Sequence, residues 1–292
     1  SALNSTRPQG KKEKVMVCSE GFKPMRHHTN SGKVPDFYKE SYYLVRGDPD
    51  QKNGSAPQGF LNVLMRNGAS AGNWVVPRPA GARTSMKRSG VAKWITDVES
   101  GAGHLLARVI VNRLWQHHFG RGIVESVNDF GFQSTKPTHP GLLDYLARDL
   151  IAHGWTLKRM HKKIMMSAAY RMGSSDNGTN ASADPKNLYW WKREPRRLEA
   201  EIIRDNALAV SGLLDHRMYG AGTLDQSMKR RSIYFFVKRS KLVPIMQLFD
   251  WPDSMTSQGR RAVTTTPSQA LVFINSPQVR EMATHFAKTI MA

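Results

Sequence analysis

The chain is short of three things: cysteine, acid and long apolar runs. One cysteine, Cys18, in 292 residues excludes an internal disulfide framework and any all-thiolate zinc site. It also excludes covalent c-type haem attachment, because there is no CxxCH. No apolar run approaches the ~18 residues that span a bilayer, so no membrane span is expected. The polar opening "SALNSTRPQGKK" does not read as a signal peptide. Also missing are a P-loop, GxGxxG, GxSxG, zinc-finger and RNP motifs, internal repeats and heptads. Acid is scarce in relative terms: 23 Asp and Glu stand against 43 Lys and Arg, for a net charge of +20. A field of that size attracts polyanions. The partners it admits are nucleic acid, anionic glycan, and an acidic protein or membrane surface.

What is present is enough to fold. The chain is 40% hydrophobic and 9% aromatic, a globular composition, and its length allows one large domain or two ordinary ones. Residues 1–35 read as an extended basic arm in which only "VMVCS" resembles a strand. Residues 36–90 read as a Gly/Pro-rich irregular wrap, opened by a strand at Tyr42–Val45 that turns at "GDPD". Residues 91–292 read as the helical core. There, "GHLLARVIVNRLWQHHF" places Leu106, Val109, Ile110, Arg113 and Leu114 near one face. "THPGLLDYLARDLIAHG" offers Thr138 as N-cap, Pro140 in the first turn and a stripe of Leu142, Leu143, Leu146 and Leu150. "TLKRMHKKIMMSAAY" turns Leu157, Met160, Ile164 and Ala168 inward. "PRRLEAEIIRDNALAVSGLL" is a helix with Leu198, Ile202 and Ala209 on one stripe, and "RSIYFFVKR" reads as a strand. Two helices with Ser/Thr–Pro starts close the chain. The expected fold is mainly α: one compact helical domain with a few short strands and the extended N-terminal arm.

Four patterns carry possible chemistry. In "NRLWQHHFGRG" the adjacent His117 and His118 point about 100° apart, which suits one metal badly, and histidines at a helix C-terminus serve its free carbonyls and dipole. Proton transfer by one of the pair is the alternative. Asp129 and His139 lie on loops flanking the helix that carries His117 and His118, where an Asp–His pair would orient an imidazole. Against that, a carboxylate in a turn commonly closes an Asx-turn on its own backbone. "WWKREPRRLEAEIIRD" reads either as a salt-bridge ladder, Arg197–Glu201–Arg204, or as an anion cradle of guanidinium forks beside aromatic rings. Arg113, Arg121 and Arg171 join Arg197 and Arg204 as candidate anion holders. Finally, "LIAHGWTLKRMHKKI" has the coarse shape of a helix-turn-helix, which any two antiparallel helices share.

Taken in order, "YLVRGDP", "GVAKWITD", "LARVIVNRLWQHHFGRGIV", "NDFGFQSTKPTHPGLLDYLA", "GWTLKRMHKKIMMSAAYR", "RRLEAEIIRD", "RRSIYFFVKR" and "RRAVTTTPSQALVFINSP" resemble the planctomycete surface-protein C-terminal domain, a domain of unknown function. The resemblance covers about residues 12–292. It implies an exported protein, periplasmic or on the cell surface, of the kind that carries cytochrome c modules upstream. Any haem would then belong to those modules and no cofactor to this chain. It brings no activity and no catalytic residues with it. It shifts the expected partner of the +20 charge toward sulfated or uronic polysaccharide, which the chain would bind or act on, or an acidic protein. Docking of redox modules and nucleic-acid binding are the alternatives.

Overall fold

The computed structural model describes residues 25–26, 33–34, 41–82, 84–238 and 240–291. Most of the expected arm, including "VMVCS", lies outside them. The described chain is mainly α, with ten α-helices and two small antiparallel strand pairs. The pairs are β1 (Met25–Arg26) with β2 (Lys33–Val34), and β3 (Tyr42–Leu44) with β4 (Lys52–Ser55). The strand expected at Tyr42 is therefore present, and it turns at the "GDPD" segment. None of the described helices is long and apolar enough to cross a membrane.

Two compact units divide the chain. The first comprises residues 1–114 and 139–162, the second residues 115–138 and 163–292.

In the first unit the Gly/Pro-rich segment is pinned by aromatic side chains. Phe60 packs edge-on to Trp74 at 5.6 Å and stacks on Trp94 at 5.4 Å. Trp94 lies on α1 (Lys87–Thr96). Asp97 ends that helix and organises the turn into the next. Its Oδ2 accepts the Trp74 indole N–H at 2.9 Å, and its Oδ1 accepts the N–H groups of Glu99 and Ser100, each at 2.9 Å. The Ser100 bond, then the indole, hold this carboxyl below its ordinary pKa. The turn tolerates only glycine at two places. A Cβ on Gly101 would lie 2.3 Å from the Trp94 carbonyl oxygen, and one on Gly103 would lie 2.7 Å from the Asp97 backbone. α2 (Gly103–Phe119) starts here and carries the first unit's chain as far as Leu114.

α3 (Pro140–Ala152) begins with Pro140 at its first turn, as expected, but His139 rather than Thr138 occupies the N-cap. Thr138 instead bonds the Ile123 carbonyl through both N–H and Oγ1. Its buried stripe is Leu143, Leu146, Ala147 and Leu150. A turn through Gly154 and Trp155, both at positive φ, leads to α4 (Leu157–Met165). Asp149 ties this hairpin together by pairing with Arg159.

The second unit holds the C-terminal helices. α7 (Ala200–Val210) meets α8 (Pro244–Leu248) over a core of Ala200, Phe235, Val243, Met246 and Phe249. α9 (Pro267–Asn275) and α10 (Pro277–Met291) close the chain with proline at their starts, and Thr266 and Gln269 form a capping box. Short helices α5 (Ala168–Arg171) and α6 (Gly178–Ala183) precede α7.

Further expectations are corrected: Leu157 and Ala168, expected to turn inward, are exposed. "RSIYFFVKR" is not a strand: Ser232–Tyr234 form a 3-10 turn, and only isolated bridges such as Thr223–Phe235 flank it. The stripe of α7 is Ala200, Arg204 and Leu208, while Leu198 and Ile202 are half exposed. On α2 the buried line runs through Ala107, Val111, Asn112, Trp115 and Phe119, one position round from the expected face.

Candidate functional site: a basic cleft

The groups singled out in the sequence divide between the two units. Arg113 and His139 belong to the first unit and the others to the second. Asp129 is exposed and closes an Asx-turn, its Oδ1 accepting the Gly131 N–H at 2.8 Å. At the end of α2, the carbonyl of His117 accepts a bond from Arg196 at 2.6 Å, and that of His118 accepts one from Arg193 at 2.7 Å. Two guanidiniums thus cap the negative end of the helix. The His118 ring stands edge-on to Tyr170 at 5.4 Å, and Arg193 lies over Tyr170 and Phe119.

The arginines of the second unit largely bind their own protein. Arg121 donates to the carbonyls of Lys186 (3.1 Å) and Asn187 (2.6 Å) and lies over Trp190. Arg197 pairs with Asp250 and donates to the carbonyls of Thr264 and Leu198. Arg204 is buried and serves the carbonyls of Met228 and Arg230. Arg171, the last residue of α5, is exposed.

The expected Arg197–Glu201–Arg204 ladder is absent, because Arg197 precedes α7 and Arg204 faces inward. Glu201 instead receives a fork from Arg261, at 2.7 and 2.8 Å. Burial pushes the Glu201 carboxyl up, but the bonds and charge of Arg261, with a backbone N–H and a bond from Trp251, together outweigh it and the net shift is down. A carboxyl lowered on folding stabilises above its unfolded value, and that contribution is lost as pH falls through the folded one. Glu201→Gln should therefore lower the urea midpoint at neutral pH. The gap to the parent should close as pH falls below the ordinary glutamate range.

The arrangement with an open, unequal charge lies in the first unit. A cleft of about 360 Å3 is lined by Arg66, His104, Arg108, Asp144, Ala147 and Arg148. Three guanidiniums and an imidazole face one carboxylate. α2 presents His104 and Arg108, one helical turn apart, and α3 presents Asp144 and Arg148 in the same way. The Asp97 turn sets the third wall: the Arg66 N–H bonds the Ser100 carbonyl at 3.0 Å, and the Asn67 amide bonds the Glu99 carbonyl at 3.1 Å. Arg108 Nη2 pairs with Asp144 Oδ1 at 2.5 Å, both side chains being partly exposed. Arg148 Nε donates to the Asp144 carbonyl at 3.3 Å. Arg108 Nε is buried without an acceptor, and the side chains of Arg66 and His104 have no bonding partner among the described residues. The first turn of α2 adds the positive end of its dipole.

None of these lining residues was named from the sequence. Their signal was there as two i, i+4 pairs, His104/Arg108 and Asp144/Arg148, on successive helices. What joins the pairs is the meeting of α2 with α3, and that is tertiary.

Among the described residues no three His, Cys, Asp or Glu side chains group so as to hold a metal ion. Fold and cleft define a mainly α protein with an open, arginine-lined cleft. The chain belongs to the PSD1 family, described as protein of unknown function (DUF1553), whose model matches residues 87–292. No curated protein and no solved structure matches the chain.

Proposed function

We propose that this chain is a binding module for anionic polysaccharide, sulfated or uronic, and that the cleft between α2 and α3 receives the acid group. The observation that carries the reading is the charge of that cleft: Arg66, Arg108, Arg148 and His104 against Asp144 alone. Guanidinium forks match planar carboxylates and sulfate oxygens with two parallel bonds. The net charge of +20 draws a polyanion toward the surface, and the cleft supplies a defined place for it. The reading goes with the periplasmic or cell-surface setting of the planctomycete domain that the sequence resembles, with haem confined to upstream cytochrome modules. It assigns no proton transfer to His117, His118, Asp129 or His139.

The test is titration calorimetry with a sulfated and a uronic oligosaccharide, with duplex DNA as competitor, across a salt series. Binding should survive moderate salt. Replacing Arg66 and Arg148 together by serine should weaken it about tenfold or more, the size of losing two charge-assisted contacts. Tighter binding of DNA would overturn the proposal. So would an unchanged double variant whose affinity simply tracks overall charge with a steep salt slope.

A further inference from the structure

Arg108 and Asp144 form the only ion pair found inside the cleft among the described residues, and its geometry is incomplete. A carboxylate can take a guanidinium side-on through Nε and Nη2 together. Here Asp144 meets Nη2 alone, at 2.5 Å, while Nε stays buried with no acceptor. A buried donor left unpaired is unfavourable relative to one that is satisfied. The neighbouring cations are uncommitted as well. Arg66 and Arg148 are exposed, and Arg148 bonds Asp144 only through the latter's backbone carbonyl, at 3.3 Å. The cleft thus holds one carboxylate where its charge calls for more, and that carboxylate grips by one contact.

We infer that Asp144 is an internal stand-in for the ligand: it occupies Arg108 until a single oxyanion group, a sulfate ester or a carboxylate, displaces it and takes Arg108 side-on. This rests on the binding reading above and makes it narrower. The ligand is recognised by one acid group at one place rather than by summed charge along a polymer. Asp144 is then the residue that sets affinity and specificity. The carboxylate must swing out, and its side chain is nearly half exposed, so water can receive it. Its continuing presence near the site repels ligands that crowd several charges together. No bond is made or broken covalently in the exchange.

The experiment uses the whole chain with four probes: inorganic sulfate, inorganic phosphate, a monosulfated disaccharide and a uronic disaccharide. Asp144→Asn keeps the side-chain shape and removes the competing charge. It should tighten sulfate and monosulfated sugar roughly five- to tenfold, the size of one nearby like charge lost at a partly exposed site. Arg108→Gln should lose binding of every probe that the parent holds, and Asp144→Asn combined with Arg108→Gln should not recover it. Thermal melts of each variant report folding independently. Monosulfated sugar binding the parent, with Asp144→Asn unchanged or weaker, overturns the stand-in role while leaving the cleft as a binding site. No binding of any probe to either parent or Asp144→Asn overturns both. Phosphate binding in place of sulfate keeps the displacement and moves the ligand class from sulfated glycan to phosphate ester.

Discussion

Replacing Arg204 with methionine is expected to destabilise the second unit by about 3–5 kcal/mol, the range for removing one partner from a buried charged network. Arg204 is 7% exposed, on the stripe of α7 that a leucine would ordinarily occupy. Its guanidinium reaches across to the 228–232 segment. Nη1 donates to the Arg230 carbonyl at 2.9 Å and to Ser232 Oγ at 3.2 Å, and Nη2 donates to the Met228 carbonyl. The plane also lies over Phe235 at 4.8 Å, and Asp205 supplies the counter-charge at 3.6 Å. Burial pulls the Arg204 pKa down and Asp205 pulls it up, with burial the stronger. The residue therefore replaces strand pairing as the fastening of a segment that has no ladder of its own. Methionine fills the volume but leaves two carbonyls without a donor and Asp205 without its buried partner. Urea unfolding gives the measure: the midpoint should fall with the slope unchanged. Lysine should recover only part of the loss, because one ammonium cannot span the same acceptors. A methionine variant as stable as the parent would mean that water takes over these carbonyls and that the segment holds by apolar packing alone.

The same residue explains what could and could not be read beforehand. Helices were legible because their ends are written locally: Pro140, Pro267 and Pro277 sit at first turns, and Gly154 ends α3. Which face of a helix is buried was not. On α2, apolar residues fill most positions, so the periodicity did not choose between Leu106–Ile110–Leu114 and the line actually buried, which includes the polar Asn112 and Gln116. On α7 the core position is an arginine, which a hydrophobic count discards. "RSIYFFVKR" failed for the opposite reason. Its aromatic and β-branched residues favour a strand, but Ile233, Phe236 and Val237 stay more than half exposed, and only Phe235 and Ser232 turn inward. The cleft was invisible because each of its two helical pairs is an ordinary surface pattern by itself. It becomes a site only where α2 and α3 face each other and the Asp97 turn brings Arg66 alongside.

Trp115→Ala is the other change expected to be severe, again by about 3–5 kcal/mol, as for a large aromatic removed from a packed core. Trp115 is 5% exposed; it stacks on Phe119 at 4.2 Å and meets Trp190 edge-on at 5.7 Å. Trp190 reaches it from a loop built around Asn187, a residue 1% exposed. The Asn187 amide donates to the Lys192 carbonyl and to Glu194, and its Oδ1 accepts the N–H of Trp191. Asn187 and Trp190 both hold positive φ, a conformation that the surrounding bonds must enforce. Arg121 and Arg193 complete the cluster over Trp190 and Phe119. The indole N–H groups of Trp115 and Trp190, Arg121 Nε and Arg193 Nη1 are all buried without a conventional acceptor. The ring faces packed around them are the electron-rich surfaces within reach, so ring and donor depend on each other. Alanine at 115 thus removes packing and deprives its neighbours together. Trp190→Ala should cost a similar amount, and the double variant should fall well short of the sum because the two rings share their contact. Additive losses in urea unfolding would show that the rings act separately, leaving the polar groups at the end of α2 as independent caps rather than one cooperative cluster.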